Sequence, residues 1–217
     1  MLPVLLKGNS SFTDSRPRLH PCYHLSVTLT LPALAEKLKE WKGCELSKTA
    51  NPVLGEGNPK AEIMFIGEAP GEQEDRQGRP FVGPAGKFLD ELLSSIGLKR
   101  EDVYISNVVK FRPPGNREPT PGEKEQCMPW LKMEIALIKP KIIVPLGRHA
   151  LGHFLARESI SNAHGKPYTL TDEVTLFPIY HPAAALHNGG LRQSLMDDFH
   201  ALKRFLDEWS SRKAVSD

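Results

Sequence analysis

The chain contains 217 residues, of which 40% are hydrophobic and 25% are charged, and its formal net charge is +2. This composition predicts one soluble domain with a full core, and the small net charge excludes a chain that is basic overall, leaving only a local basic patch to consider. No apolar run approaches the roughly 20 residues of a membrane span, and the start, MLPVLLKGNSS, is too short in its apolar part for a signal peptide. We therefore expect a cytoplasmic protein without membrane contact.

The elements begin after an irregular leader. Residues 1–30 have no clean period and predict a loose or disordered segment. Residues 31–41, LPALAEKLKEW, have leucines at helical spacing and predict an amphipathic helix. Four short runs rich in Ile and Val then predict buried strands, at 62–66, 103–109, 141–146 and 174–180. Helical patterns separate and follow these strands, at 85–96, 121–138, 147–156 and 197–210.

Strands that alternate with helices predict an α/β fold. The expected architecture has three layers, α/β/α, with a central four-stranded parallel sheet. The domain should span residues 31–210 and be followed by a short tail, 211–217. In such a sheet the carboxyl ends of the strands meet at one edge, and ligands bind there.

The stretch 61–86, AEIMFIGEAPGEQEDRQGRPFVGPAG, joins the first predicted strand to such an edge. The strand breaks at Gly67, and the following loop is rich in carboxylates. An aromatic residue, Phe81, is held between Pro80 and Val82 just before the next helix. Strand, glycine turn, acidic loop and presented aromatic together indicate a ligand site, whose carboxylates are Glu68, Glu72, Glu74 and Asp75.

Two further strand ends carry polar groups, namely Asn107 and His181. Taken singly, each candidate has an ordinary structural explanation. Glu68 could cap a helix, Phe81 could be a core residue, Asn107 could serve a turn, and His181 could lie on the surface. Their joint placement at the ends of three strands favours a functional site.

The chemistry of these groups suits cleavage of an N-glycosidic bond. An aromatic face stacks on a flat ring, and an asparagine amide fits the edge of a pyrimidine. A histidine can donate to an oxygen that gains negative charge, while a carboxylate can hold a water or offset a developing cation.

Several residues around this edge are candidates for DNA contact. Loop 182–192 could wedge into a duplex and replace an extruded base. A short loop after the second strand carries three cations without an intervening acid and could meet phosphates, although a solvated surface is the alternative. The candidates are Leu186, Lys110, Arg112, Arg117 and Arg192.

Three segments, GEAPGEQEDRQGRPFVGPAG, YISNVVKFRPPGNREPTP and HPAAALHN, resemble the signature segments of the family-four uracil-DNA glycosylases. The likeness covers roughly residues 32 to 206. It implies a uracil-DNA glycosylase fold, uracil-containing DNA as partner, and removal of uracil by base flipping. We expect a monomer.

The resemblance also implies residue roles in the first segment. Glu68 would position the attacking water or stabilise the sugar cation, with Ala69 in the same turn against the base. Glu74 and Asp75 would be the acidic support of Glu68, and Glu74 is counted with the catalytic residues. Phe81 would stack on the uracil.

In the other two segments, Asn107 would read the uracil edge and His181 would stabilise the departing uracil anion at O2. Leu186 would be the minor-groove wedge. A related branch bonds covalently to DNA through a histidine in a basic insertion, and no such insertion lies between Asn107 and Pro121. His149 and His153, four apart on a predicted helix, lack a third metal ligand and are interpreted as surface residues.

One departure from the family concerns its four-iron, four-sulfur cluster, which is bound by four cysteines. The corresponding positions here are Trp41, Cys44, Phe111 and Cys127, and no spacing brings in Cys22. Because these clusters need thiolates, we expect no cofactor and predict that Trp41 and Phe111 pack into the space. The three cysteines are also too few for a disulfide framework.

Three other functions compete with uracil excision. A sister enzyme with broader base specificity would differ only in pocket shape. A DNA-binding relative with weakened catalysis would fit the lost cysteines, although every carried-over site position holds a suitable residue. A flavodoxin-like nucleotide binder is disfavoured because GEAPGEQED puts carboxylates where a phosphate would lie.

Overall fold

A single mixed sheet, covered by helices on both faces, organises residues 29–216, the part of the chain that the computed structural model describes. The expected leader up to residue 28, Cys22 and Asp217 lie outside the described residues. The strands are β1 Glu56–Gly57, β2 Ile63–Gly67, β3 Tyr104–Asn107, β4 Ile142–Pro145, β5 Tyr168–Thr171 and β6 Val174–Leu176. The helices are α1 Leu31–Glu40, α2 Glu72–Gln77, α3 Pro84–Ser95, α4 Pro121–Ile138, α5 Gly147–Leu151, α6 Ile160–Ala163, α7 Pro182–His187 and α8 Gly190–Ser216.

The strand order within the described residues is β1-β3-β2-β4-β6-β5. The four central strands run parallel, and the two edge strands pair antiparallel to their neighbours. The predicted α/β class is confirmed, and the sheet is wider than the four strands expected. The two edge strands lack a clear sequence pattern because β1 has only two residues and β5 is mostly exposed.

Side-chain alternation along β2 divides the core between the two faces of the sheet. Met64 and Ile66 pack with apolar residues of α1 and α4, whereas Ile63 and Phe65 pack with those of α3 and α8. A strand buried on both faces reads as a continuous apolar run, as β2 does. No helix among the described residues is long and apolar enough to cross a bilayer.

Helix starts are specified locally. The hydroxyl of Thr120 accepts from the Glu123 N–H, and the Glu123 carboxylate accepts from the Thr120 N–H, forming a capping box at the start of α4. The segment predicted as a loop, 182–192, instead contains α7 and the start of α8, because Pro182 favours a first helical turn and the alanines extend it. α5 ends at Leu151, earlier than predicted, and α8 continues through the expected tail to Ser216.

Candidate active site

The carboxyl ends of β2 and β3 bring Phe81 and Asn107 together over Gly67. Gly67 is in register with Asn107 across the parallel pair. A Cβ added to Gly67 would lie 2.4 Å from Asn107 Oδ1 and 2.6 Å from Phe81 Cζ. Only glycine therefore allows the amide and the ring to approach the strand end this closely.

Phe81 is held in a left-handed backbone conformation, with φ of 53°, and its side chain is only 5% exposed. Such a conformation costs free energy for a bulky residue and persists only where neighbours impose it. The guanidinium of Arg100 donates to the carbonyl oxygens of Phe81 at 2.9 Å and Pro80 at 2.5 Å, and it also pairs with Asp90. A Cβ on Gly86 would lie 1.9 Å from the Phe81 carbonyl oxygen, so α3 can start beneath this loop only with glycine there.

Glu74 holds the same loop from its other side. Its carboxylate accepts from the backbone N–H groups of Val82 at 2.9 Å, Gly83 at 2.7 Å and Gly71 at 3.1 Å. These bonds occupy both oxygens and make Glu74 a support for the Phe81 loop. Its predicted place among the catalytic residues is not favoured by this geometry. Asp75 likewise accepts from the Asn51 N–H at 2.7 Å.

Asn107 borders a cavity of about 610 Å³ that is also lined by Phe81, His181 and the backbone turn at Ala69. Asn107 is buried, and its Oδ1 has no hydrogen-bond partner among the described residues. A buried polar atom without a partner costs about 1–3 kcal/mol. A ligand that offers a donor to this amide would remove the penalty.

His181 precedes α7 and faces Phe81, with the two ring centroids 5.6 Å apart. Its Nδ1 accepts a hydrogen bond from the Ala183 N–H at 3.1 Å, which assigns the proton of the neutral ring to Nε2. Burial, with a smaller effect of His149, lowers the pKa of His181 to about 4. The ring is therefore neutral near pH 7 and has one N–H available for donation.

Glu68 lies behind His181 in an adjoining, mostly apolar cavity of about 320 Å³. Lys124 Nζ is 3.2 Å and His149 Nδ1 3.4 Å from Glu68 Oε1, and Lys124 and His149 are 3.2 Å apart. Oε1 is buried and makes no hydrogen bond within residues 29–216, so these are ion-pair distances without hydrogen-bond geometry. The carboxylate thus lies within ion-pair distance of Lys124 and His149 and retains acceptor capacity.

His149 was interpreted from sequence as a surface residue, and its side chain is 23% exposed. It packs between Glu68 and Glu118, with Nε2 3.1 Å from Glu118 Oε1. Arg100, Lys124 and His149 lie on other elements and contact candidate site residues, namely Phe81 and Glu68. Sequence reasoning missed these contacts because they join residues 19 or more positions apart, although the positions at the start of α4 and α5 indicated the correct edge of the sheet.

The predicted DNA contacts separate into exposed and buried residues. Leu186 is 48% exposed on α7 beside the larger cavity, as a wedge requires. Arg112 donates to Asn116 Oδ1 at 2.7 Å, and Arg192 lies over the Phe88 ring and pairs with Glu91.

The remaining two basic candidates pair with glutamates of α4. Arg117 makes a two-pronged contact with Glu123, at 2.8 and 2.7 Å, although its side chain is still partly exposed. Lys110 is fully buried and ion-paired with Glu134, so its predicted phosphate contact is wrong. The chain turns inward after β3, and Glu134 on α4 receives the ammonium in the core.

Trp41 and Phe111 pack against each other where the family would place its cluster. Their ring centroids are 5.9 Å apart, and Trp41 also meets Trp130 edge to face at 5.5 Å. Cys44 and Cys127 are buried free thiols in the same apolar cluster, and burial raises the pKa of Cys127 to about 11. Two thiols and two aromatic rings do not fit a cluster that needs four thiolates.

Comparison with known proteins identifies the class to which this fold and site belong. The family model of the uracil DNA glycosylase superfamily matches residues 54–206, and the chain belongs to this superfamily. It is 47% identical over 184 residues to the type-4 uracil-DNA glycosylase of Sulfurisphaera tokodaii, covering 80% of this chain and 84% of the relative.

Two further type-4 uracil-DNA glycosylases show the same level of similarity. That of Saccharolobus solfataricus is 48% identical over 186 residues, covering 81% of this chain and 86% of the relative. That of Thermotoga maritima is 43% identical over 178 residues, covering 80% and 93%. The family resemblance predicted from the three signature segments is confirmed.

Proposed function

We propose that this protein flips uracil out of DNA and hydrolyses its N-glycosidic bond, leaving an abasic site for repair. The observation that carries the proposal is the cavity shared by Phe81, Asn107 and His181. It combines a flat apolar wall, an amide with an unsatisfied buried oxygen and a neutral imidazole donor. Type-4 uracil-DNA glycosylases are relatives over most of their own length, which supports the same substrate here.

In this mechanism the base is held before the bond breaks. Uracil stacks on Phe81, and the Asn107 amide pairs with the N3–H and O4 edge that distinguishes uracil from cytosine. A flipped base is commonly read in this way, by stacking and by hydrogen bonds to its pairing edge. The Glu74 and Arg100 contacts fix the Phe81 wall in place before the substrate arrives.

Bond cleavage then separates charge. The electrons of the bond between C1′ and N1 pass to uracil, and negative charge gathers on O2, where His181 Nε2–H donates a hydrogen bond. Glu68 offsets the positive charge of the sugar and accepts a proton from the water that adds to C1′. Leu186 fills the space left in the duplex, and Arg112 and Arg192 border the bound strand.

We also propose that the protein works without the family's iron–sulfur cluster. The support is the donor set, since aromatic rings stand at two of the four implied ligand positions. Iron and acid-labile sulfide should be measured on anaerobically purified protein. About four irons per chain would overturn this proposal, because a cubane cluster contains that number.

The remaining expectations are proposals of the same kind. The protein acts as a monomer in the cytoplasm, its domain spans residues 31–210, and uracil is its principal base. Except for the buried Lys110, the basic candidates for DNA contact are partly exposed, which is consistent with contact to a nucleic-acid backbone. These residues are Arg112, Arg117 and Arg192.

A labelled oligonucleotide containing one uracil tests the activity. After incubation and alkali treatment, the unmodified protein should cleave at the uracil in the presence of chelators. Phe81→Ala and Asn107→Ala should each lower the excision rate by about 100-fold, the scale of losing one preorganised contact. DNA binding without any abasic product would instead favour the non-catalytic relative.

A further inference from the structure

We propose that Lys110 is a positioning residue for Asn107, held in place by the buried carboxylate of Glu134. The inference rests on the proposed function, because it assigns to Lys110 an effect on base recognition by that site. The sequence placed Lys110 among phosphate contacts, and its burial removes that role.

All three ammonium hydrogens of Lys110 have protein acceptors. Nζ donates to the Asn107 backbone oxygen at 2.6 Å, to Ser106 Oγ at 2.8 Å, and to Glu134 Oε2. The side chains of Lys110 and Glu134 are both 0% exposed. A buried charge of this kind persists only where its partners are complete, and here they are.

Glu134 is satisfied as fully as its partner. Its carboxylate accepts from the Gly55 N–H at 2.6 Å, the Tyr104 hydroxyl at 3.2 Å and the Ser106 hydroxyl at 2.9 Å. These groups lie on β3 and on the segment before β1, so one carboxylate of α4 ties three parts of the chain together. The Glu134 carboxylate therefore has a fixed position, and it holds the Lys110 ammonium beside the end of β3.

The contact with the Asn107 oxygen bears directly on the cavity. Asn107 is the last residue of β3, and just beyond it the N–H groups of Val108 and Val109 donate to the carbonyl oxygens of Gly67 and Glu68. The peptide plane that follows Asn107 is therefore held on both sides, by the Val108 N–H on Gly67 and by Lys110 on the Asn107 carbonyl oxygen. A rotation there would swing the amide that borders the cavity, and displacements of about 1 Å can change rates by 100-fold.

A purely structural ion pair would behave differently. Replacing a buried pair by neutral residues of similar volume is often harmless to stability. If Lys110 and Glu134 served stability alone, a neutral pair that still folds would retain the excision rate. If Lys110 acts through Asn107, the neutral pair lowers the excision rate only in a protein that retains the Asn107 amide.

A double-mutant cycle separates the two roles. Lys110→Met/Glu134→Gln removes the ammonium without leaving a lone buried charge, and it should lower kcat/KM for uracil excision by about tenfold in the otherwise unmodified protein. In the Asn107→Ala background the same pair should change kcat/KM by less than about twofold, since the amide it positions is gone. An equal loss in both backgrounds, or no loss in either, would overturn the proposal.

Two controls keep the result interpretable. Tyr104→Phe removes one donor from Glu134 but leaves Lys110 on Asn107, and it should stay within about twofold of the unmodified rate. If this double variant does not fold, a second neutral pair that also removes the ammonium, Lys110→Leu/Glu134→Gln, takes its place in the cycle with the same criteria. Absence of excision by the unmodified protein would overturn the proposed function and this inference with it, whereas normal excision with equal losses in both backgrounds overturns the inference only.

Discussion

The His181 imidazole accepts a hydrogen bond at Nδ1 from the backbone N–H of Ala183, at 3.1 Å. This bond caps the start of α7 and fixes the ring tautomer, so the remaining proton sits on Nε2. One short helix therefore orients the group that would meet the uracil anion.

The first prediction concerns pH. Because the pKa of folded His181 is lowered from the usual 6.5 to about 4, single-turnover excision should show no His181-dependent break near pH 6.5 and should fall as the pH drops toward 4. An imidazolium cannot accept from Ala183. Between pH 4 and pH 6.5 the unfolded state binds a proton at His181 more readily than the folded state does. The contribution of His181 to the free energy of unfolding is therefore present above about pH 6.5 and is lost as the pH falls toward 4.

Rates and thermal unfolding from pH 4 to 8 check this prediction. His181→Asn keeps a donor but cannot titrate, and it should lose the part of the acid dependence that arises from this ring. A rate that halves near pH 6.5 and is restored to a flat profile by His181→Asn would contradict the lowered pKa of His181.

The second prediction concerns the clamp on Phe81. Arg100→Met leaves the Pro80 and Phe81 carbonyl oxygens without their donor, so the left-handed turn at Phe81 should relax. We expect KM for uracil-containing DNA to rise by at least about tenfold and the free energy of unfolding to fall by about 1–3 kcal/mol.

The matched control is Arg79→Met. Arg79 forms an exposed two-pronged pair with Glu56 and does not contact the Phe81 carbonyl. It should cost at most about 1 kcal/mol and leave KM unchanged. An unchanged KM in Arg100→Met would show that packing holds Phe81 without the guanidinium.

Much of this architecture could be predicted from local patterns. The capping box at Thr120 and the apolar run ending at Gly67 are local signals, so α4 and the position of the site followed from the sequence. The burial of Lys110 could not, because it depends on Glu134, 24 residues further along the chain. A lysine after a strand looks the same in sequence whether its partner is a phosphate or a carboxylate in the core.

The third prediction concerns Leu186, which should matter only where a base must be replaced in a duplex. Leu186→Ala should lower excision from double-stranded DNA by about tenfold and leave single-stranded DNA within about twofold, because wedge contacts offset unstacking. Leu170→Ala, an exposed leucine on β5, is the matched control and should affect neither substrate. Equal losses on both substrates would assign Leu186 to the cavity wall instead.

The last prediction tests the aromatic packing that stands in the family's cluster region. Phe111 is buried against Trp41, so Phe111→Ala should lower the free energy of unfolding by about 3–5 kcal/mol, and Phe111→Leu, which keeps most of the volume, by less than about 1.5 kcal/mol. If aromatic contacts rather than iron hold this region, chelators and oxidants should leave the unfolding midpoint of the unmodified protein unchanged. Urea unfolding, with and without an iron chelator, measures both effects. A midpoint that falls on chelation would mean that a metal contributes to stability here, since removing a bound ligand destabilises a fold in proportion to its occupancy.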